Sequence, residues 1–170
     1  MLNNHFRYLR CQGLKYVWLF CLLILSLQSQ AGVWVTWYPV EPDTCASAWL
    51  IKRLVDRQAE FKFLPKGTPV EQGTAFDTPL AEFRRYHNLS TYGSIVRKYR
   101  IQDLAVLEIK KLIYDMEINK WDNKIHPDSV HTEITIRDNI QAADSPAEGC
   151  KLNFNLLDKL YQKYQTTLDR

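Results

Sequence analysis

A strand–helix–strand pattern in the first half of the chain constrains the fold most. Residues 33–39, VWVTWYP, are β-branched and aromatic and end at a proline, which predicts a strand. Residues 59–65, AEFKFLP, alternate two phenylalanines with polar residues and predict a second strand. Because the links to the helix between them are short, the pattern predicts a βαβ unit with parallel neighbouring strands and a right-handed crossover.

The helix between these strands is expected to begin near Asp43 or Thr44, either of which can cap it. Its apolar residues recur at three- and four-residue spacing and are expected to face the core: Ala46, Trp49, Leu50 and Leu54.

Residues 66–73 predict a loop, and residues 74–77, TAFD, predict a third short extended segment. Four helices are predicted after this segment. The first is capped by Ser90 or Thr91 and the second by Asp103. The third follows the polar residues 119–128 and runs to about residue 143, and the last begins after the DSP of residues 144–146. The fold class predicted is therefore α+β, in which a small, mainly parallel sheet precedes a helical C-terminal half.

Residues 1–31 predict a secretory signal peptide. The first 15 residues carry three basic side chains and no acidic one, and the apolar run that follows ends at Leu27. Ser29 and Ala31 supply the small residues that precede a cleavage site. Since the run is shorter than the ~20 residues of a membrane span, cleavage is favoured over an uncleaved anchor. We expect one periplasmic or secreted domain, residues 32–170, that meets the membrane only through the leader before cleavage.

The net charge of the chain belongs to its leader, which contains three of the 22 basic residues and none of the 19 acidic ones. The remaining domain has 19 of each and is neutral when its histidines are neutral. Such a domain lacks the basic footprint of a nucleic-acid-binding protein, so we expect no nucleic-acid partner.

Two of the four cysteines remain after the leader, Cys45 and Cys150. An even pair in an oxidising compartment favours a structural disulfide over two buried free thiols. The chain has no CxxC motif to support a redox role, and two thiolates do not complete a four-ligand zinc site. We expect the two residues, at the start of the first helix and on the apolar stripe of the last, to approach each other.

The candidate site residues are acids near the ends of predicted elements, because the sequence contains no GxSxG, P-loop, GxGxxG or HExxH motif. Asp43 and Asp77 follow strands, and sites in parallel sheets gather at the carboxyl ends of the strands. Asp115 and Glu117 are two residues apart on a helix, so only one of them can point at a shared site. Taken alone, Asp43 is better explained as a helix cap and Asp77 as a turn residue than as parts of a site.

Three stretches resemble the C-terminal domain of the chromate resistance protein B (ChrB) family. The most specific is ASAWLIKRLVD, residues 46–56, with Asp43 before it; the FD that ends at Asp77 and the Asp115 of LIYDMEI are less specific. The resemblance covers most of residues 34–165. The resemblance implies a role in chromate resistance or chromate-responsive regulation, in a family of which some members are exported. It also implies that the matching side chains form a group that looks like a metal or oxyanion site.

The chain departs from the family pattern at the nitrogen and sulfur donors. Tyr114 stands where the pattern has a histidine, Arg84 and Arg85 stand in the region of another, and STYG at 90–93 replaces CTFE. His87 lies two residues late and could substitute only after a local shift. The surviving carboxylates suit Mg, Ca or Mn rather than Zn or Cu, whereas the two arginines favour an oxyanion.

The sequence thus predicts an exported, envelope-located protein of the chromate-resistance type that binds or senses a small inorganic ligand, either a metal ion or an oxyanion. A divalent metal ion is the one cofactor considered, and catalysis is not favoured. Two alternatives stay open: a metal-dependent hydrolase, and a structural or interaction domain with a degenerated site. A distant similarity of D-x-x-x-S-A to DHH-type phosphoesterases lacks the DHH triplet that those enzymes need.

Asp43 and Asp77 are expected at the same edge of the sheet. If Asp115, which matches the family pattern, joins them, the three carboxylates make one acid-lined pocket that favours a cation. Arg84, Arg85 or His87 could neutralise this pocket from inside and remove the need for a metal ion. The substitution Asp43→Asn is expected to keep the helix cap while removing the charge.

Overall fold

The computed structural model describes residues 32–119 and 123–168. The predicted leader, residues 1–31, and its cleavage site lie outside the described residues. Within the described part of the chain, no helix combines the length and the apolar character that a membrane crossing requires.

The predicted strand–helix–strand unit is confirmed, and its sheet has three strands. Strand β1 (Val33–Tyr38) pairs in parallel with β2 (Glu60–Pro65), with Val33 opposite Glu60. Strand β3 (Thr74–Ala75) pairs in parallel with the other side of β1, which gives the order β2–β1–β3. All three strands therefore end at the same edge of the sheet.

Helix α1 (Pro42–Leu50) follows β1 and is buried along its whole length. Its N-cap is Glu41, and a proline occupies the first helical position, where the missing N–H costs nothing. The prediction that Asp43 or Thr44 caps this helix is wrong, since both residues lie inside its first turn.

A π-helical turn (Ile51–Val55) continues α1 and changes which residues face the core. The N–H of Asp56 donates to the carbonyl of Ile51 at 2.8 Å, which is the five-residue spacing of a π-turn. Leu54, predicted to lie on the buried face with Trp49, is 43% exposed, whereas Trp49 is 2% exposed. The wider turn interrupts the 3.6-residue period on which that prediction depended.

The C-terminal half is helical, as predicted. Ser90 caps the first of these helices by accepting the N–H of Gly93 at 3.0 Å, and Asp103 caps the second by accepting the N–H of Val106 at 3.0 Å. In chain order the four helices are α2 (Thr91–Lys98), α3 (Leu104–Glu117), α4 (Ser129–Ala142) and α5 (Pro146–Leu168). With the parallel sheet, they make the fold α+β.

The core lies between α1 and the helices of the C-terminal half. Helix α5 packs against α1, α3 and α4, and α2 packs against α1 and α3. The predicted inner face of α3 is confirmed, with every member at most 1% exposed: Ala105, Ile109, Leu112, Ile113 and Met116. Because α1 is held on all sides, the side chains of its first turn have fixed positions beside the carboxyl edge of the sheet.

Cys45 and Cys150 form the predicted disulfide, and their Cα atoms lie 4.6 Å apart. The bond joins the first turn of α1 to α5 and spans 105 residues of sequence. Both cysteines are buried, beside Val40 and Phe63. In the chain-entropy account a loop of this length corresponds to about 4–5 kcal/mol of stabilisation.

Removing this bond should lower the stability of the fold. We expect the double variant Cys45→Ala/Cys150→Ala to lose up to about 4 kcal/mol of unfolding free energy, because the unfolded chain regains the entropy of the open loop. Chemical denaturation with and without reductant measures the loss. Reductant should lower the stability of the natural protein and leave that of the double variant unchanged, so the double variant controls for other effects of the reductant. Two thiols that react with an alkylating agent before reduction would contradict the bond.

Candidate functional site

An open cleft of about 510 Å³ lies at the carboxyl edge of the sheet, where the sequence places Asp77. Its walls come from the end of β1, the residue after β2, the segment after β3 and the start of α1. Three of the lining side chains are cationic, two are acidic and two are aromatic, and the described lining residues are Trp37, Tyr38, Pro39, Glu41, Lys66, Asp77, Thr78, Pro79, Arg84 and Arg85.

Asp43 lies fully buried behind this cleft and binds the start of another helix. Its two carboxylate oxygens accept the backbone N–H groups of Thr91 at 2.6 Å and Tyr92 at 2.8 Å. The next N–H of α2, that of Gly93, is accepted by the hydroxyl of Ser90. Asp43 therefore caps α2, not the helix that contains it, and joins the first turns of α1 and α2.

Asp77 is held by two threonine hydroxyls. The hydroxyl of Thr91 donates to its Oδ1 at 2.6 Å, and the hydroxyl of Thr44 donates to its Oδ2. Its backbone has a left-handed φ of 51°, which aspartate adopts more readily than most residues. Thr91 thus donates its backbone N–H to Asp43 and its side-chain hydroxyl to Asp77. Together the two aspartates fix the start of α2.

Arg85 connects the cleft with the buried acids behind it. Its Nη2 lies 2.9 Å from Glu41 Oε2 and 3.0 Å from Glu117 Oε2, and its Nε lies 3.7 Å from Asp43 Oδ2. The side chain of Glu117 is completely buried. Burial alone would lower the pKa of the Arg85 guanidinium, but the charges of Glu117, Asp43 and Asp77 raise that pKa above its ordinary value. Arg85 is therefore the resident cation of the cluster.

The pKa of the Asp43 carboxyl is raised from 3.8 to about 8, and burial is the largest cause. The nearby charge of Asp77, and to a smaller extent that of Glu117, adds to this rise in pKa. The N–H of Tyr92 and the guanidinium of Arg85 lower the pKa but do not cancel the effect of burial. The surroundings of Asp43 therefore favour its protonated form more than those of an exposed aspartate do.

Asp115 does not share the surroundings of Asp43 and Asp77. Glu117, instead of Asp115, is the α3 acid that joins their cluster. The carboxylate of Asp115 accepts the N–H groups of Ile125 and His126 and the hydroxyl of Ser129, the last at 2.6 Å. These hydrogen bonds, together with one from Asn119, lower the pKa of Asp115 to about 2 although its burial opposes this. Asp115 fixes the connection from α3 to α4.

The remaining candidates, Arg84 and His87, lie at different distances from the cleft. Arg84 lines it, with Nη1 donating to the carbonyl of Ala81 at 2.8 Å and the guanidinium 4.7 Å from the ring centre of Tyr86. His87 is exposed in the turn that follows Tyr86 and is not among the described residues that line the cleft.

Several residues of the site carry little signal in the sequence. The sequence indicates Thr44 and Thr91 only as helix caps, yet their hydroxyls hold Asp77. It does not predict a site role for Glu41 or Lys66, and both line the cleft. The one signal was the three-residue spacing of Glu41 and Thr44 at a helix start, because the Thr44 hydroxyl accepts the N–H of Glu41 at 3.1 Å.

The cluster does not fit a metal ion. In residues 32–119 and 123–168, no three or more His, Cys, Asp or Glu side chains are arranged to hold one. The oxygens of Asp77 accept threonine hydroxyls and those of Asp43 accept backbone N–H groups. Arg85 already pairs with Glu117, so a divalent ion would have to displace donors that the fold itself supplies.

These features define a class of protein: a small α+β domain with an arginine-neutralised acidic cluster behind a cleft at the carboxyl edge of its sheet. The chain belongs to the family ChrB, C-terminal domain, whose model matches residues 34–164. The protein is therefore related to chromate resistance. Neither a comparison with curated proteins nor one with solved structures finds a match.

The substitution Asp43→Asn should destabilise the fold, contrary to the expectation from the sequence. Asparagine has one acceptor oxygen, so either Thr91 or Tyr92 would face an NH₂ group instead of an acceptor. We expect a loss of about 1–3 kcal/mol in unfolding free energy, measured by chemical denaturation. Asp138→Asn, at an exposed position of α4, makes the same charge change and should leave stability nearly unchanged. Equal stability of the two variants would contradict the capping role.

The stabilising effect of Asp43 should also depend on pH. A carboxyl whose pKa is raised from 3.8 to about 8 on folding stabilises fully below the lower value and loses that effect as pH rises through the higher one. The stability advantage of the natural protein over Asp43→Asn should therefore decrease from about pH 4 to pH 8. Denaturation midpoints at several pH values measure it. A difference that widens with pH would show that folded Asp43 is ionised throughout.

Proposed function

We propose that this protein is an exported chromate-resistance protein of the cell envelope that binds or senses a tetrahedral oxyanion in the cleft at the carboxyl edge of its sheet. The observation that carries the proposal is the set of three cationic side chains that line one cleft: Lys66, Arg84 and Arg85. Guanidinium groups suit oxyanions because their planar donors match pairs of oxygens.

The geometry of the cleft favours an anion over a cation. The acids that could attract a metal ion are occupied, Asp77 by threonine hydroxyls and Asp43 by backbone N–H groups. Arg84 uses one of its N–H groups for the carbonyl of Ala81, and Lys66 is exposed at the cleft. The cleft, with a volume of about 510 Å³, has room for an oxyanion, since one water molecule takes up roughly 30 Å³ in the liquid.

Export is supported by the leader-like residues 1–31 and by the disulfide between Cys45 and Cys150. Disulfides persist in oxidising compartments and are rare in the cytosol. We place the domain in the periplasm or outside the cell, with a small inorganic ligand as its partner and no nucleic acid. A metal-dependent hydrolase is not supported by the donor set around Asp43, and the proposed activity is binding without turnover.

Chromate should stabilise the protein against thermal unfolding. We expect Arg84→Met and Lys66→Met each to weaken chromate binding by about five- to tenfold, because each removes one charge at the cleft. Isothermal titration calorimetry measures the affinity. Lys110→Met on α3 removes the same charge outside the cleft and serves as control. Stabilisation by Mn²⁺ or Mg²⁺ with no response to chromate or sulfate would contradict the proposal.

Export makes a separate prediction about the N-terminus. If the leader is cleaved after Ala31, the mature chain begins at Gly32, because small residues precede that bond and the apolar run is short. N-terminal sequencing or intact mass of protein recovered from the periplasm decides it. A chain that keeps its apolar run and stays in the membrane fraction would contradict export as a cleaved protein.

A further inference from the structure

Glu41 places a carboxylate inside the cleft, against the guanidinium that would receive an oxyanion. Its Oε2 lies 2.9 Å from Arg85 Nη2, and its side chain is 45% exposed. The other acid of the cleft, Asp77, has both oxygens engaged by the hydroxyls of Thr44 and Thr91. Of these two acids, Glu41 is thus the one that forms a close ion pair with a cationic side chain of the cleft.

We infer that Glu41 is an internal competitor of the ligand: its carboxylate pairs with Arg85 in the absence of an oxyanion and gives way when one binds. The inference rests on the proposed function and adds a residue that sets the affinity. Glu41 would raise the oxyanion concentration needed to fill the cleft, as suits a protein that responds only above a threshold.

Two observations allow Glu41 to move while Arg85 stays in place. The side chain of Glu41 is 45% exposed, so water can solvate its carboxylate when the pair with Arg85 opens, and such a pair contributes little. Glu41 also takes part in the capping box of α1 with Thr44, so it gives way by losing its contact with Arg85 while it stays at the start of the helix. Arg85 has a second anchor in the completely buried carboxylate of Glu117 at 3.0 Å and lies 3.7 Å from Asp43. The guanidinium therefore keeps its position when Glu41 leaves, and a dianion can replace a single carboxylate beside it.

The consequence is a gain of affinity when the competing charge is removed. Glu41→Gln keeps the length of the side chain and removes its charge, so both the competition for Arg85 and the repulsion of an incoming dianion disappear. We expect chromate to bind this variant at least about fivefold more tightly than the natural protein at low ionic strength. The difference should shrink in about 0.5 M salt, because exposed charges are then screened.

The experiment is a calorimetric titration of chromate, repeated with sulfate, into the full chain purified from the envelope fraction. Glu60→Gln is the matched control, because Glu60 is exposed and begins β2 at the opposite end of the sheet. At ~3.3 Å per residue the length of the strand separates it from the cleft by roughly 17 Å. Its affinity for chromate should equal that of the natural protein. Glu41→Asp, which withdraws the carboxylate from Arg85 and keeps the charge, should give an intermediate affinity and serves where the glutamine variant does not fold.

The outcomes separate this inference from the function on which it rests. Tighter binding by Glu41→Gln with no change in Glu60→Gln supports both. Equal or weaker binding by Glu41→Gln overturns the competitor role and leaves the cleft as an oxyanion site. An absence of chromate and sulfate binding in every variant overturns the proposed function and the inference with it.

Discussion

The pair of hydrogen bonds from the N–H groups of Thr91 and Tyr92 to the carboxylate of Asp43 is the interaction on which the rest of the site depends. It satisfies two amides that α2 could not satisfy by itself, in a place that water does not reach. It also sets the distance between the first turns of α1 and α2. Thr44 and Thr91 then stand on either side of Asp77, which binds both hydroxyls.

The disulfide adds a covalent constraint to the same turn of α1. Cys45 comes directly after Asp43 and Thr44 in the chain. Its disulfide with Cys150 bonds this turn to α5. Because α1 is buried along its length and packs against α2, α3 and α5, its first turn cannot shift without disturbing each of them. The cleft therefore has a rigid rear wall, and its exposed charges, such as those of Glu41 and Lys66, lie on the solvent side.

An arginine inside an acidic cluster changes what the cluster can bind. Three carboxyl groups, those of Asp43, Asp77 and Glu117, would attract a divalent ion if their oxygens were directed at a common point. Here the oxygens of the two aspartates receive hydrogen bonds from the fold, and Arg85 supplies a cation whose charge cannot be removed by proton loss. Such a cluster positions a guanidinium at the cleft, which is the arrangement that an oxyanion site needs.

Much of the fold could be predicted from the sequence, and much of the site could not. Period-2 and period-3.6 patterns identified the strands and helices because those patterns record burial of one face. The same reasoning failed at Leu54, where the π-turn changes the period without a local signal. It also assigned Asp43 to the cap of its own helix, because a sequence shows which amides are near in the chain and not which are near in space.

The choice between Asp115 and Glu117 shows the same limit. Two residues two apart on a helix face different directions, so the sequence indicated that only one could join Asp43. Which one it would be depended on the rotation of α3 against α1, and this is set by packing of the whole core. The resemblance to the ChrB family pointed to Asp115, whereas the packing brings Glu117 to Arg85. Thr91 lacked even this kind of signal, since threonines at helix starts are ordinary, and Thr44 had only its three-residue spacing from Glu41.

The central claim is that the cleft holds an oxyanion on arginine and lysine side chains, in front of an acidic cluster that Arg85 has already neutralised. A crystal structure of the protein grown with both chromate and Mn²⁺, with anomalous data collected at the edges of the two metals, tests it most directly. The account predicts a chromium peak in the cleft beside Arg84 and Lys66 and no manganese peak at the cluster. A manganese peak between Asp43, Asp77 and Glu117, with Arg85 turned away, would contradict it.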